Sequence, residues 1–205
     1  MPLATLGVFI LWLGWFGFNG ASQLAMGSNS DVSDISRIFA NTNLAAAGGV
    51  VAAIILTQVL YKKVDVTMAL NGALAGLVSI TAGPLAPSPL LAICIGLVGG
   101  VLVVFSIIAF DRVRIDDPVG AISVHGTCGI FGLLVVPIAN PDASLMSQLA
   151  GIGAIGGFVF VFSLIVWAVL RMTMGIRVNP DDERAGLDFA ECGMEAYPDF
   201  AHGGD

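Results

Sequence analysis

The chain has 205 residues, of which 57% are hydrophobic and 11% are charged, and its mean hydropathy is +0.92. Soluble proteins carry roughly 25% charged residues, so this composition indicates a membrane protein rather than a soluble domain. The formal net charge of -7, with 8 basic residues, argues against a nucleic-acid-binding protein, because a polyanion is bound by clustered Lys and Arg.

Six apolar segments follow one another along the chain, separated by short clusters rich in Pro, Asp, Asn and Lys. Each is near the roughly 20 residues that a helix needs to cross the hydrocarbon core. No segment alternates in the manner of a barrel strand, so we predict an all-α polytopic membrane protein with residues 1–175 as its transmembrane domain. The predicted spans are about 3–26, 37–61, 65–84, 89–110, 118–137 and 144–174.

The first span contains GWFGFNGAS, residues 14–22. Trp15, Phe18 and Ser22 are three and four residues apart, so a helix is expected to present them on one face. Aromatic faces attract cations and a hydroxyl accepts hydrogen bonds, so this face could bind an ammonium-like cation. A belt of aromatic side chains at the membrane interface is the alternative, and it is the commoner reason for Trp and Phe near a helix end.

Small and polar residues inside the spans predict how the helices pack. Glycines at a spacing of four allow helix backbones to approach closely, and polar side chains in a membrane core usually hydrogen-bond between helices. The glycines are Gly72, Gly76, Gly96, Gly100, Gly151, Gly153, Gly156 and Gly157, and the polar residues are Asn41, Thr42, Asn43 and Asn71.

The fifth span is preceded by IDDPVG and contains VHG. Asp117 and Pro118 are predicted to start its helix, because a side-chain oxygen caps free N–H groups and proline fits a position that needs none. His125 is predicted near the centre of this span. One hypothesis is a neutral imidazole in a narrow dry passage, and the other is a histidine that hydrogen-bonds a neighbouring helix.

The basic residues predict the orientation of the chain. All of them except Arg37 lie on one side of the six-span arrangement, namely Lys62, Lys63, Arg112, Arg114, Arg171, Arg177 and Arg184. Loops rich in Lys and Arg stay in the cytoplasm, so both termini are predicted to be cytoplasmic. Residues 176–205 then form an acidic cytoplasmic tail.

Five motifs together resemble the ammonium transporter/Rh family, especially its bacterial and cyanobacterial members. In chain order they are GWFGFNGAS, NTNLAAAGGVVAA, MALNGALAGLVSITAG, RIDDPVGAISVHGTCGIFG and AGLDFAECGMEAY. The resemblance covers essentially the whole chain, and its most specific part is Asp-Asp-Pro followed by Val-His-Gly.

The resemblance implies a fold of eleven helices, made of two inverted five-helix repeats and a final helix, in the plasma (inner) membrane. It also implies a homotrimer with one pore in each subunit. The six predicted spans correspond to the second repeat and the final helix. We therefore expect a fragment, a truncated product, or one half that needs a separately encoded N-terminal half, and we expect the chain to be inactive alone.

The resemblance also implies roles for individual residues. Phe18 corresponds to the inner of two stacked phenylalanines at the external mouth, and Ser22 to the hydroxyl of the external ammonium site. His125 corresponds to the second of two pore histidines, and Thr81 to a hydroxyl near the pore. Trp15 is a candidate pore residue because it shares the helical face of Phe18 and Ser22. The implied activity is recruitment of ammonium outside and passage of ammonia through a hydrophobic channel, with no cofactor or metal.

An enzyme is not expected, because the spans contain no nucleophile–base pair or carboxylate cluster. The alternative function is a non-conducting membrane module that assembles with full-length transporters and regulates them.

The tail departs from the family pattern. A histidine and a glutamate of the pattern are replaced by Cys192 and Met194, between Gly-Leu-Asp at 186–188 and Ala-Tyr at 196–197. In the family this tail couples the subunits to each other and to PII-type regulatory proteins, and the two replacements count against such a partner here. The other interpretation of the tail is a solvated acidic segment.

Overall fold

The computed structural model describes residues 1–195, and over these residues the chain is helical without any strand. This confirms the predicted all-α class. The chain divides into two compact units, Met1–Gly153 and the residues from Ala154 onward. The predicted division at residue 175 between membrane domain and tail stays a prediction. Part of the predicted tail, including Ala196, Tyr197, Asp199 and Asp205, lies outside the described residues.

The first unit contains five helices and the start of a sixth. They are α1 (Pro2–Gly20), followed by a 3₁₀ turn (Ala21–Gln23), α2 (Asn29–Tyr61), α3 (Val66–Thr81), α4 (Pro89–Arg112), a π-turn (Ile122–Thr127) that continues into α5 (Cys128–Ala139), and α6 (Leu145–Thr173), which continues into the second unit.

Five of these helical segments are long and apolar enough to cross a membrane, and they correspond to five of the six predicted spans. The remaining predicted span, 65–84, is the apolar helix α3 of 16 residues. At 1.5 Å per residue its length is about 24 Å, somewhat less than the roughly 30 Å hydrocarbon core. Asp65 begins this helix as its N-cap, and the chain turns away from helical structure before Pro84.

Helix α2 begins at Asn29, eight residues before the predicted start of the second span at residue 37. The Ser28 hydroxyl accepts the Asp31 N–H at 3.1 Å, and the Asp31 carboxylate accepts the Ser28 N–H at 2.9 Å. This capping box satisfies free N–H groups at the helix start and lets the helix form in a polar stretch that the sequence indicated as a loop.

The fifth span also begins later than predicted, at Ile122 rather than at Pro118. Residues 117–120 form a turn in which the Gly120 N–H donates to the Asp117 carbonyl at 3.0 Å. Gly120 has φ +72°, a conformation that favours glycine, and a Cβ there would come within 2.6 Å of Asn71 Oδ1. These first residues of the predicted span therefore form a turn and not the start of the helix.

Helices α2, α3 and α4 pack at their glycines. A Cβ on Gly72 would lie 2.7 Å from the Ala53 Cβ, and one on Gly100 would lie 2.9 Å from the Gly49 Cα. Gly76 and Gly96 both approach the backbone of Ala45. The packing predicted for these two glycine pairs is therefore confirmed. The surrounding core consists of fully buried aliphatic side chains, among them Leu77, Val103 and Val104.

The four glycines of α6 do not pack in this way. A Cβ on any of them would meet no atom within 4 Å, and no described residue of α6 is buried. The glycines in question are Gly151, Gly153, Gly156 and Gly157. The close packing predicted for them is absent from the described part of the chain.

Of the four polar residues, Thr42 bonds another helix as predicted, whereas Asn41 bonds the loop between α3 and α4. Asn41 donates to the carbonyls of Pro84 and Pro87, both at 2.9 Å, and the Thr42 hydroxyl accepts from Asn19 at 3.0 Å. Asn71 donates to the Thr67 carbonyl of its own helix at 3.1 Å, and the exposed side chain of Asn43 has no hydrogen bond within residues 1–195. The side chain of Asn71 instead packs against Gly120.

The second unit contains the rest of α6 and two short helices, α7 (Pro180–Ala185) and α8 (Leu187–Cys192). Arg177 forms a two-pronged ion pair with Glu183 at 2.9 and 3.1 Å, and both side chains are exposed. An exposed pair of this kind contributes little to stability.

Candidate functional site

A cavity of about 800 Å³, the histidine cavity, lies in the first unit against α1, α3 and the helix that carries His125. It is open to its surroundings, and most of its wall is apolar, with Ile10, Leu11, Val78 and Leu133 among the lining residues. Four of the five predicted site residues also line it, namely Trp15, Phe18, Thr81 and His125. The sequence separates these residues by up to 110 positions, and the fold brings them together.

Trp15 is the residue that connects the others. Its indole N–H donates to the Thr81 hydroxyl at 2.8 Å. Its ring lies nearly parallel to the His125 imidazole, with ring centroids 6.4 Å apart and planes 15° apart. The Phe18 ring contacts the indole at a centroid distance of 5.9 Å and a tilt of 54°. The indole is therefore held between α3 on one side and the imidazole on the other.

His125 lies on the π-turn, between the buried residues Ser123 and Val124 and the start of α5. It is in the first turn of this helical segment rather than near its centre, because the helix begins four residues later than predicted. Its ring is exposed to the cavity and makes no hydrogen bond within residues 1–195. The second hypothesis for this residue, a hydrogen bond to a neighbouring helix, has no counterpart in the described chain.

The Thr81 hydroxyl already makes two hydrogen bonds within the protein. It donates its single proton to the Leu77 carbonyl at 2.7 Å and accepts the Trp15 N–H with one of its two lone pairs. What remains free on this oxygen is an acceptor. Any ligand that hydrogen-bonds Thr81 must therefore act as a donor, which suits an amine.

Ser22 lies at a different cavity, of about 390 Å³, together with Gln23, Pro84 and Asn140. We expected it on one face with Trp15 and Phe18. Helix α1 ends at Gly20, however, and Ser22 lies in the following 3₁₀ turn, so it is not part of the regular helix that carries Trp15 and Phe18. Thr81 lines both cavities, so the two adjoin at its side chain.

Gln23 and Asn140 were not predicted as site residues, although both line the Ser22 cavity. Gln23 donates to the carboxylates of Asp31 and Asp34 at 3.3 and 3.4 Å. Both residues lie at the polar ends of apolar segments, and this position was the sequence feature that could have indicated them as site residues.

The arrangement can hold a small amine. An apolar wall disfavours a bare ion strongly, whereas an acceptor lone pair and an imidazole can exchange hydrogen bonds with a neutral amine. Aromatic faces can also attract a cation before it loses its proton. Within residues 1–195 no three His, Cys, Asp or Glu side chains are grouped closely enough to hold a metal ion.

The apolar helices and the cavity between them define a polytopic integral membrane protein. Residues 1–197 match the model of the Ammonium Transporter Family, and the chain belongs to this family. The resemblance inferred from the five motifs is thereby confirmed.

Several relatives that match most of this chain are named as ammonium transporters. Ammonium transporter Amt2 of Archaeoglobus fulgidus is 38% identical over an alignment that covers 98% of this chain and 46% of the relative. Amt2 of Methanocaldococcus jannaschii is 35% identical over 97% of this chain and 47% of its own length. A Synechocystis sp. relative, also named for ammonium transport, is 41% identical over 93% of this chain and 44% of its own length.

Solved structures show the same fold. A Sensor Amt Protein superposes with a TM-score of 0.79 and 39% identity, covering 93% of this chain and 49% of the other. Candida albicans Mep2 superposes with a TM-score of 0.77 and 26% identity, covering 97% of this chain and 48% of the other. The chain thus spans about half the length of the relatives that it matches.

Proposed function

We propose that this chain forms one half of an ammonium transport path, with the histidine cavity as part of the permeation route. The observation that carries the proposal is the parallel arrangement of His125 and Trp15 beside the Thr81 hydroxyl in one apolar cavity. Membership of the Ammonium Transporter Family supports ammonium as the substrate.

In the proposed mechanism ammonium loses a proton, and neutral ammonia crosses the apolar part of the route. Moving a charged ammonium ion into apolar surroundings costs on the order of tens of kcal/mol in a Born treatment, far more than moving ammonia. In the proposed route Trp15 and Phe18 attract the cation, and Ser22 accepts a hydrogen bond from it in the adjoining cavity. The ammonium proton passes to water on the open side of that cavity, and the remaining ammonia then passes His125. A neutral imidazole can hydrogen-bond ammonia without the charge that would trap it.

The open side of the histidine cavity supports a requirement for a partner. Phe18 is 66% exposed and His125 is exposed, although an ammonia channel must exclude water. We propose that a first repeat, supplied by the rest of a longer chain or by a separate chain, closes this side. We further propose cytoplasmic termini in the plasma membrane, assembly as a trimer, and PII-type regulation through the tail, weakened by Cys192 and Met194.

The experiment that tests this function measures methylammonium uptake by cells that lack other ammonium transporters. The chain is produced alone and together with the N-terminal half of a related transporter. We expect uptake only when both halves are present, and loss of that uptake in His125→Ala. Unchanged flux and selectivity in His125→Ala would show that this histidine has no pore role.

His202→Ala is the matched control, because it makes the same chemical change at the one other histidine of the sequence. We expect its uptake to equal that of the unchanged pair. If the chain co-purifies with an intact transporter and neither combination takes up methylammonium, the chain is instead a non-conducting module that assembles with transporters.

A further inference from the structure

The six-residue π-turn Ile122–Thr127 carries His125. A π-turn closes i→i+5 hydrogen bonds instead of the usual i→i+4 bonds, and it occurs mostly as a single turn within or beside an α-helix. After such a turn, side chains point in different directions about the helix axis than they would in a regular α-helix. The direction of the His125 side chain therefore depends on what maintains the start of this turn.

The start of the turn is bonded by one side chain that lies outside the helix. The Asp117 carboxylate accepts the Ile122 N–H at 2.9 Å through Oδ1. Through Oδ2 it accepts both the N–H and the hydroxyl of Ser123, each at 3.0 Å. Both oxygens are thus engaged, and Ser123 is fully buried. Hydrogen bonds to an ionised acceptor are about twice as strong as neutral ones, so these three bonds hold the first two residues of the turn firmly.

Other contacts hold the rest of the segment. At its end the Thr127 hydroxyl pairs with the Ser106 hydroxyl of α4 at 2.8 Å. Before its start, Gly120 packs against the Asn71 side chain of α3. His125 lies between these fixed points, and its ring makes no polar contact within residues 1–195 that could orient it directly. Its orientation therefore follows from the backbone of the turn and from the Trp15 ring beside it.

We propose that Asp117 is a positioning residue for His125: its carboxylate holds the π-turn in the register that stacks the imidazole on Trp15. The significance for transport rests on the proposed function, while the positioning itself is a property of the chain. Asp117 touches neither the imidazole nor the histidine cavity, so it acts only through the turn.

The experiment observes the His125 ring by NMR in the full chain with ring-labelled histidine, in detergent micelles. The sequence contains 2 histidines, so a His202→Asn background leaves His125 as the only signal. The ring current of the nearly parallel indole displaces the His125 ring-proton resonances. Trp15→Leu in the same background defines the position without that displacement.

Asp117→Asn is the main variant. An amide retains one acceptor oxygen and turns an NH₂ group towards an N–H donor, so it cannot make the same three bonds. We expect its His125 resonances to move from the wild-type position towards the Trp15→Leu position. Asp116→Asn is the matched control, because Asp116 is exposed and has no hydrogen bond within residues 1–195, and we expect no movement.

Ser123→Ala is the second variant, for the case that Asp117→Asn does not fold, as judged by loss of its helical circular dichroism signal. It removes one of the three bonds and retains the carboxylate, so we expect a smaller displacement in the same direction. The proposal is overturned if the folded variants keep the wild-type resonance positions, or if Asp116→Asn moves them as far as Asp117→Asn. None of these measurements involves flux, so failure of the transport proposal would be seen separately in the His125→Ala uptake assay.

Discussion

Thr81 shows how one hydroxyl determines the geometry of the histidine cavity. A Thr hydroxyl inside a helix commonly donates to the carbonyl four residues earlier, and Thr81 does so to Leu77. This local bond directs a lone pair of the hydroxyl to the Trp15 N–H. The indole is consequently tied to α3 while its ring faces His125. Sequence spacing could relate Trp15 to Phe18, but it could not relate either residue to Thr81 or His125.

Thr81→Val tests this bond. Valine has a similar shape but no acceptor, so the half-buried Trp15 N–H would lose its partner, and we expect the free energy of unfolding in detergent to fall by about 1 kcal/mol. The His125 resonances should also move towards their Trp15→Leu position. Thr81→Ser retains the hydroxyl and should change neither quantity appreciably. Equal stability and equal resonance positions in Thr81→Val would contradict the importance of this bond.

At the scale of helices, close backbone contact and capping decide where elements lie and where they begin. The glycine pairs of α3 and α4 were recognisable because spacing of four is a property of the sequence, and both pairs pack against α2. In α6 the same kind of spacing has no such contact, since a Cβ added at its glycines would meet no atom within 4 Å. Helix starts were predicted less well, since a capping box can begin a helix within a polar stretch.

Gly96→Ala tests the contact between α4 and α2. The new methyl group would meet the Ala45 backbone, which cannot yield as a flexible side chain can, and we expect a loss of about 3 kcal/mol in the free energy of unfolding. Gly156→Ala is the matched control in open space on α6, where alanine should be neutral or stabilise by up to about 1 kcal/mol. Similar effects of both variants would show that the contact is not tight.

Asp65 gives the start of α3 a dependence on pH. Its carboxylate accepts the Thr67 hydroxyl at 2.6 Å, with further bonds from the N–H groups of Thr67 and Met68, and these bonds lower the pKa of Asp65 below its ordinary value of 3.8. A lowered folded-state pKa means that the stabilisation is complete above pH 3.8 and is lost as the pH falls through the lower folded value.

The corresponding variant is Asp65→Ala. We expect it to lower the free energy of unfolding by about 1 kcal/mol near neutral pH, the usual effect of losing an N-cap. The difference from wild type should shrink below pH 3.8, measured as denaturation curves over a pH series. Asp116→Ala, at an exposed position without hydrogen bonds in the described chain, should show no such difference. A difference for Asp65→Ala that stays constant into acid would contradict the assignment.

For the whole molecule, the distribution of charge predicts orientation, and the length of α3 makes that prediction testable. Helix α3 has 16 residues, yet the positive-inside arrangement requires it to cross. Lys63 precedes α3 and Arg112 follows α4, so the two basic residues lie on the same side only if both helices cross. A short helix can cross if the bilayer thins locally or if its flanking residues reach towards the interface.

Cysteine labelling decides whether α3 crosses. In a background without Cys94, Cys128 and Cys192, the exposed positions on either side of the helix are changed singly, as Val64→Cys and Ala86→Cys. We expect an impermeant maleimide added outside intact cells to label Ala86→Cys, and to label Val64→Cys only after the membrane is opened. Labelling of both from the same side would show that α3 does not cross.

The sequence by itself determined the membrane class, the six helical segments and the family, because composition, hydrophobic length and motif order are properties of residues taken in series. It also indicated which side chains belong to the candidate site. Only the tertiary structure decided how they meet: Trp15 between Thr81 and His125, Ser22 at a separate cavity, and His125 on a π-turn bonded to Asp117. These relations depend on helix ends, turn type and the contact of distant helices. The contacts of Trp15 with Thr81 and His125 join residues far apart in the chain, so no local pattern specifies them. The π-turn and the end of α1 are local features, but the periodicity of a regular helix does not predict them.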